Sequence, residues 1–353
     1  MVGTAPETGT LVLADLTGYT AYLAGGEIEH APTIAGDLLE TVIGRLEPPF
    51  RLAKLEGDAA FLYVEDGRAD GSLQLDALEA AFFAFRRRLR SIDQASSCDC
   101  AACSLAPRLD LKLFVHHGTW VRSRIAGRDE LAGSDVILAH RLLKGSVSET
   151  RRAGFVQLTA AASDALGLDT DAAGLTAATE SFDHIGEVQT RVLDLDARWS
   201  SETGTRRLEL DPGTSFLDLA LDIPAEPATV WAHLTTPALR AGWEGPITIS
   251  EDTVGGRRGL GTTTRCVTGR LTTLEEVVDW QPFEHVAWRL AVPGIGPLVA
   301  TADLEPGEGA TRLRLRWATA DRPPAAEAVM TFAGERRAAI LRLEAGLGSS
   351  SAR

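Results

Sequence analysis

The stretch Thr10–Thr20, TLVLADLTGYT, opens on an unbroken apolar run and ends on a carboxylate followed by a glycine. Thr10 to Ala14 predict a strand, Asp15 stands at its end, and Gly18 opens a helical stretch. Working outward, Ile34, Leu38, Leu39, Val42, Ile43 and Leu46 repeat at helical spacing until Pro48-Pro49 stops the helix. Phe50–Leu55 and Ala59–Val64 predict two strands joined by a tight Glu56-Gly57-Asp58 turn. Leu75, Leu78, Phe82, Phe85 and Leu89 mark a further helix, and a Cys-rich loop follows. Leu109–Val115 and Thr119–Ile125 read as a hairpin turning at His117-Gly118, and Val136–Leu143 as a helix. The order β-α-α-β-β-α-β-β-α predicts an α+β sandwich with helices on one face of a largely antiparallel sheet.

The whole chain has 353 residues, 44% hydrophobic and 24% charged, which suits two globular domains and excludes a disordered chain. A net charge of −14 argues against non-specific binding to nucleic acid or an anionic membrane. No apolar run approaches the roughly 18 residues of a membrane span, and MVGTAPETG lacks the basic and apolar regions of a secretory leader. With four cysteines, three of them crowded between Cys98 and Cys103, a disulfide framework is not expected, and a reducing cytoplasm is. A polar, turn-rich stretch from Ala197 to Gly213 marks the expected boundary. The expected domains are 1–198, with a Cys-rich insertion at 98–103, and 213–348, with a linker at 199–212 and a tail at 349–353.

Asp15 and Asp58 carry the chemistry. The end of the first strand and the turn of the next hairpin can lie side by side, and two carboxylates meeting there make a hard-oxygen site for Mg²⁺ or Mn²⁺. Two such ions suit phosphoryl chemistry, one at the attacking oxygen and one at the leaving phosphates.

With their neighbours, these residues form the stretches ADLTGYT (Ala14–Thr20) and KLEGDA (Lys54–Ala59), which resemble the two signature motifs of class III adenylyl/guanylyl cyclase catalytic domains. LKLFVHHG (Leu111–Gly118) and LAGSDVILAHRL (Leu131–Leu142) are similar to two further pieces of that family, in the same order. The resemblance spans roughly Thr10 to Thr159 and implies a ferredoxin-like, nucleotidyl cyclase-type fold. It implies that Asp15 and Asp58 hold the metals, that Lys54 reads the purine, and that Glu130 accepts from the adenine amino group. It also implies that Arg141 steadies the transferring phosphate, a role suited to a guanidinium fork. Lys54 is one of three lysines among 35 basic residues, which points to a role a guanidinium would not fill. Ile137 departs from the family, which has an asparagine there to orient the ribose, and the chain contains no asparagine at all. Ser134 also replaces the family's aspartate or similar polar residue just after Gly133. The resemblance further implies a head-to-tail homodimer, with metal aspartates from one copy facing Lys54 and Arg141 of the other.

Cys98, Cys100 and Cys103 offer three thiols to one Zn²⁺, with His116, His117, Cys266 or a partner chain as sources of a fourth ligand. Arg86-Arg87-Arg88-Leu89-Arg90 reads as a solvated helix face, and His30, His140, His184 and His233 as isolated. GGRRGLG (Gly255–Gly261) reads as a hairpin turn.

In the second half, Ser215–Ile223, Thr262–Val267, Leu271–Asp279, His285–Leu290, Leu298–Leu304 and Thr311–Ala318 predict strands. A helix begins near Pro227 with Trp231 inside it, and a long helix runs from about Ala325 to Leu347. This order resembles the START-like, polyketide-cyclase helix-grip superfamily, whose curled sheet grips a long helix and leaves a cavity. An apolar small molecule is the implied ligand, with Trp243, Trp280, Phe283, Trp288 and Trp317 either lining that cavity or filling the core. Two functions are expected to compete. One is a nucleotidyl cyclase forming cyclic AMP and pyrophosphate from ATP. The other is a cyclase-like module that binds nucleotide or dimerises without turnover, within a two-domain ligand sensor.

Overall fold

The apolar run that opens the chain forms β1 (Glu7–Thr17), in which Leu11, Val12, Leu13 and Ala14 are fully buried. The computed structural model describes residues 5–26, 30–95, 100–151, 154–204, 206–319 and 325–350. The chain divides into two compact units, residues 1–205 and 206–353.

In the first unit β1 is followed by α1 (Tyr19–Gly25), α2 (Ala31–Leu46), β2 (Arg51–Glu56), β3 (Ala59–Glu65), α3 (Gly71–Ala95) and α4 (Ala101–Leu105). Then come β4 (Asp110–Ile125), β5 (Arg128–Ala132), α5 (Ser134–Leu142), α6 (Ser146–Thr150), β6 (Phe155–Thr159), α7 (Ala160–Ala165), β7 (Thr176–Phe182), β8 (Gly186–Asp194) and α8 (Leu195–Gly204). The sheet order is β2-β3-β1-β4-β6-β8-β7, with β5 paired to β4. Its first four strands have the antiparallel order and split βαβ connections of a ferredoxin-like core.

Three expectations need correction. The sheet is covered on both faces. Leu11, Leu13, Phe61, Tyr63, Phe114 and Trp120 pack with Val136, Ala139 and Leu142 of α5, while Val12, Ala14, Leu62 and Val115 are equally buried on the opposite face. An unbroken apolar strand is the signature of two-sided burial.

The hairpin expected at His117-Gly118 does not exist, because β4 runs straight through as one strand and pairs with β1 as far as Trp120. The turn falls at Ala126-Gly127, where φ is 50° and 81°. Gly118 serves close approach instead: a Cβ there would lie 2.5 Å from the Asp135 side chain, whose Oδ2 accepts from the Thr119 N–H at 2.7 Å. Gly118→Val is expected to cost about 1–3 kcal/mol through overpacking, read as a lowered denaturation midpoint.

The arginine run is not merely solvated. Arg86 donates to Asp110 at 3.2 Å and Asp196 at 2.5 Å, Arg88 donates to Asp37, and Arg87 and Arg90 lie over the Trp199 ring. Trp199 also packs against Phe83, and the first six residues of the expected 199–212 linker are helical, as the end of α8. Sheet strands β6, β7 and β8 extend past the part of the first unit whose element order the sequence revealed.

The second unit runs β9 (Leu217–Ile223), α9 (Pro227–Thr235), α10 (Pro237–Glu244), β10 (Thr248–Asp252), β11 (Thr263–Thr268), β12 (Leu271–Gln281), β13 (His285–Val292), β14 (Gly296–Gly307), β15 (Ala310–Thr319) and α11 (Ala326–Ser350). All seven strands are antiparallel neighbours in the order β10-β11-β12-β13-β14-β15-β9. The long helix α11 buries Ala339, Ile340, Leu343 and Leu347 at helical spacing. A seven-stranded sheet with one long C-terminal helix is the expected helix-grip arrangement, so the chain is α+β in both units. The turn read at GGRRGLG is present, with φ of 67° and 72° at Gly255 and Gly256.

Candidate functional site

The end of β1 and the β2–β3 turn meet through the backbone. The Leu16 N–H donates to the Asp58 carbonyl at 3.1 Å, and Asp15 stands opposite Ala59 in the register. This fastens the turn against the strand end and brings the two carboxylates within electrostatic reach. Burial pushes the Asp15 carboxyl up to about 6, and the Asp58 charge pushes the same way. Lys112, opposite Asp15 on β4, offsets part of this. Lys112 is itself buried, and its ammonium donates to the Ser148 carbonyl at 2.5 Å.

Lys54 projects from β2 and donates to Glu130 of β5 at 3.1 Å, with Glu56 at 2.9 Å on its other side. The Glu56 hydrogen bond and, after it, that of Glu130 hold the Lys54 ammonium above its ordinary range despite partial burial. Glu56 also lies 2.9 Å from Nε2 of His140 on α5, whose ring stands edge-on to Phe61 of β3. Glu56 was read only as a turn residue, and His140, read as isolated, is instead paired with it. On α5, Ser134, Ile137 and Arg141 are all exposed. The structure thus brings Asp15 and Asp58 together, and Lys54 and Glu130 together, and leaves Arg141 presented to solvent.

The thiol cluster differs from expectation. Cys98 lies outside the described residues. The expected donors His116, His117 and Cys266 are elsewhere: His116 Nδ1 lies 2.9 Å from the Thr159 hydroxyl, His117 pairs with Asp66 at 3.0 Å, and Cys266 belongs to the second unit. Instead His30, read as isolated, stands beside Cys100 and Cys103, with the three ligand atoms within 4.8 Å of one another. His30 is 70 residues from Cys100, so no local spacing could have signalled it.

In the second unit a cavity of about 710 Å³ is lined by Ile247, Leu271, Leu290, Trp317 and Phe332, with Glu244, Glu275 and Arg336 on one wall. Its volume lies in the usual range for a small-molecule site. Arg240 is buried behind it, donating to both oxygens of Glu275 at 2.7 and 3.1 Å and to Glu244 at 2.7 Å. Trp231, by contrast, is core, packed on Trp280 and Phe283.

Residues 35–151 match a family described as a protein of unknown function, DUF2652. Residues 218–348 match the family described as polyketide cyclase/dehydrase and lipid transport, which spans the second unit from β9 to α11. An uncharacterized protein of Mycobacterium tuberculosis, Rv2561/Rv2562, is 35% identical over 159 residues, 45% of this chain and 72% of that protein. The chain belongs to that protein's family. Among solved structures similar to this family member, the guanylyl cyclase Cya2 is 15% identical over 54% of this chain and 93% of its own, with a TM-score of 0.41. The adenylyl cyclase CyaB from P. aeruginosa is 17% identical over 55% and 97%, also at 0.41. DynU16, from the dynemicin biosynthetic locus, is 23% identical over 38% and 47%, at 0.32. Among the described residues, no helix is long and apolar enough to cross a membrane.

Proposed function

We propose that the first unit is a divergent nucleotidyl cyclase that forms cyclic AMP and pyrophosphate from ATP between two copies of the chain. The observation that carries this is the pairing of Asp15 with Asp58 at one sheet end, on the motifs that resemble those of class III cyclases. The donor set fits Mg²⁺ or Mn²⁺: two carboxylates, hard oxygen ligands, one of them made harder to ionise by burial and by its neighbour's charge, a cost that a bound cation relieves. The cations would supply charge for the attacking 3′-oxygen and for the departing pyrophosphate. Asp15 and Asp58 hold them. Lys54 and Glu130, already in contact, receive the base, and Arg141 of the second copy faces the phosphate. The 3′-oxygen bonds to the α-phosphorus, the bond from that phosphorus to the bridging oxygen breaks, and the 3′-hydroxyl proton passes to water. Leu55 and Ile137, each 57% exposed, are apolar surface beside these groups that a head-to-tail dimer would cover.

The cavity of the second unit takes an apolar small molecule and would bias the dimer. Purified protein with ATP or GTP and Mg²⁺ or Mn²⁺ is expected to release cyclic nucleotide, and Asp15→Asn and Asp58→Ala variants to release none. No product above those variants sinks the enzymatic reading.

A second reading is favoured by Ile137 and by Lys112, which already sets a positive charge opposite Asp15. In it the unit binds nucleotide or dimerises without turnover. Nucleotide binding measured by calorimetry, with no product, supports that reading.

A further inference from the structure

The α1–α2 junction and α4 meet tightly. A Cβ on Gly26 would lie 3.1 Å from Ala102 and 3.0 Å from Ala31, and one on Gly25 would lie 3.0 Å from Leu105. This packing sets His30, just before α2, against the two cysteines of α4 and its cap. His30 Nδ1 lies 3.2 Å from the Cys100 sulfur, and that sulfur also accepts the Cys103 N–H at 3.4 Å. Among the described residues this is where three soft or borderline ligand atoms converge.

A second observation points the same way. Tyr22 of α1 is 3% exposed, and its hydroxyl has no hydrogen-bond partner among the described residues. It lies within electrostatic reach of both thiols. A buried O–H donor without an acceptor is destabilising, and a metal-bound thiolate is an acceptor that removes that cost.

We propose that His30, Cys100 and Cys103 bind one Zn²⁺, with the Tyr22 hydroxyl donating to a ligating thiolate. Zinc suits the set because two thiolates and an imidazole are its common ligands, and hard cations are poorly served by sulfur. Bonds of about 2.0–2.3 Å at tetrahedral angles hold ligand atoms roughly 3.5–3.8 Å apart, so the cluster, with one pair at 3.2 Å and all three atoms within 4.8 Å, needs only small shifts. Binding releases the two thiol protons to solvent and changes no oxidation state. The ion would staple the start of α2 to α4, and the Tyr22 hydrogen bond would tie in α1, which starts four residues after Asp15, so the staple steadies the segment that leaves the carboxylate site. The proposal stands independently of the nucleotide reading.

The test is metal content of the full chain after expression with zinc and desalting, together with the spectrum of a Co²⁺-substituted sample. The expected result is one zinc per chain and a thiolate-to-cobalt charge-transfer band. His30→Ala and Cys103→Ser are expected to lose both, and Tyr22→Phe to weaken affinity roughly 10–100-fold. Wild-type protein without stoichiometric zinc and without the cobalt band, or isolated with a Cys100–Cys103 disulfide, overturns the proposal. So does a His30→Ala variant that binds as tightly as the parent; wild-type measurements keep the test decisive if a variant misfolds.

Discussion

Ile137→Asn is expected to raise cyclic-nucleotide formation by a factor on the order of 10²–10³ while leaving thermal stability unchanged. Ile137 is 57% exposed on α5, and its neighbours Val136 and Ala139 make the contacts to the core, so the core loses nothing. The position lies four residues before Arg141, one helical turn away on the same exposed face. An amide there adds a donor and an acceptor beside the nucleotide that the isoleucine lacks. One correctly placed donor in an active site is worth about 2.7–4 kcal/mol of barrier, which sets the factor. The measurement is initial rate with ATP and Mn²⁺, compared with the parent and with Asp58→Ala. An Ile137→Asn variant that binds nucleotide yet forms no more product than the parent would remove Ile137 as the explanation for low turnover. It would shift weight to Lys112, whose charge opposes Asp15.

Arg240→Ala is expected to destabilise the second unit by about 3–5 kcal/mol. The guanidinium is 8% exposed and is gripped by Glu275 through two hydrogen bonds and by Glu244 through a third. Its removal leaves Glu275 without that partner and Glu244 with Arg336 alone, 3.2 Å away, in a desolvated wall. Breaking a buried pair from one side strands a charge, and that term exceeds the net value of the intact pair. Five of the seven tryptophans belong to the second unit, so tryptophan fluorescence in a urea titration follows its unfolding. Arg240→Met combined with Glu275→Leu should recover much of the loss, because it removes both members of the bidentate pair. A single variant within about 1 kcal/mol of the parent would mean that water reaches these carboxylates and that the cavity is wetter than its lining suggests.

The difference between these two sites shows what was legible in the chain beforehand. Asp15 and Asp58 sit on local patterns, a strand end and a tight turn, which can be read because neighbours in sequence are neighbours on one element. The long helix α11 and the tryptophan-bearing strands were readable for the same reason. Lys54, Glu130 and Ile137 were legible only through the resemblance to class III cyclase motifs. His117-Gly118 misled because glycine serves two needs that look alike in sequence, a turn and a close approach. Only the position of Asp135, 17 residues on, distinguishes them. The strands β7 and β8 went unread because their half-exposed faces alternate polar residues with few large apolar ones.

By itself the sequence determined the two-unit plan, the mixed α+β content and the carboxylates at the end of the first strand, since these follow from composition, hydrophobic periodicity and turn chemistry acting over a few residues; the class of each unit was implied by motif resemblance. The tertiary structure alone decided that His30 meets Cys100 and Cys103, that Glu56 and His140 flank Lys54, that Lys112 is buried opposite Asp15, and that Arg240 is enclosed by two glutamates. Those pairings depend on which faces of distant segments are driven together when apolar surface leaves water, and no residue's own neighbours in the chain carry that information.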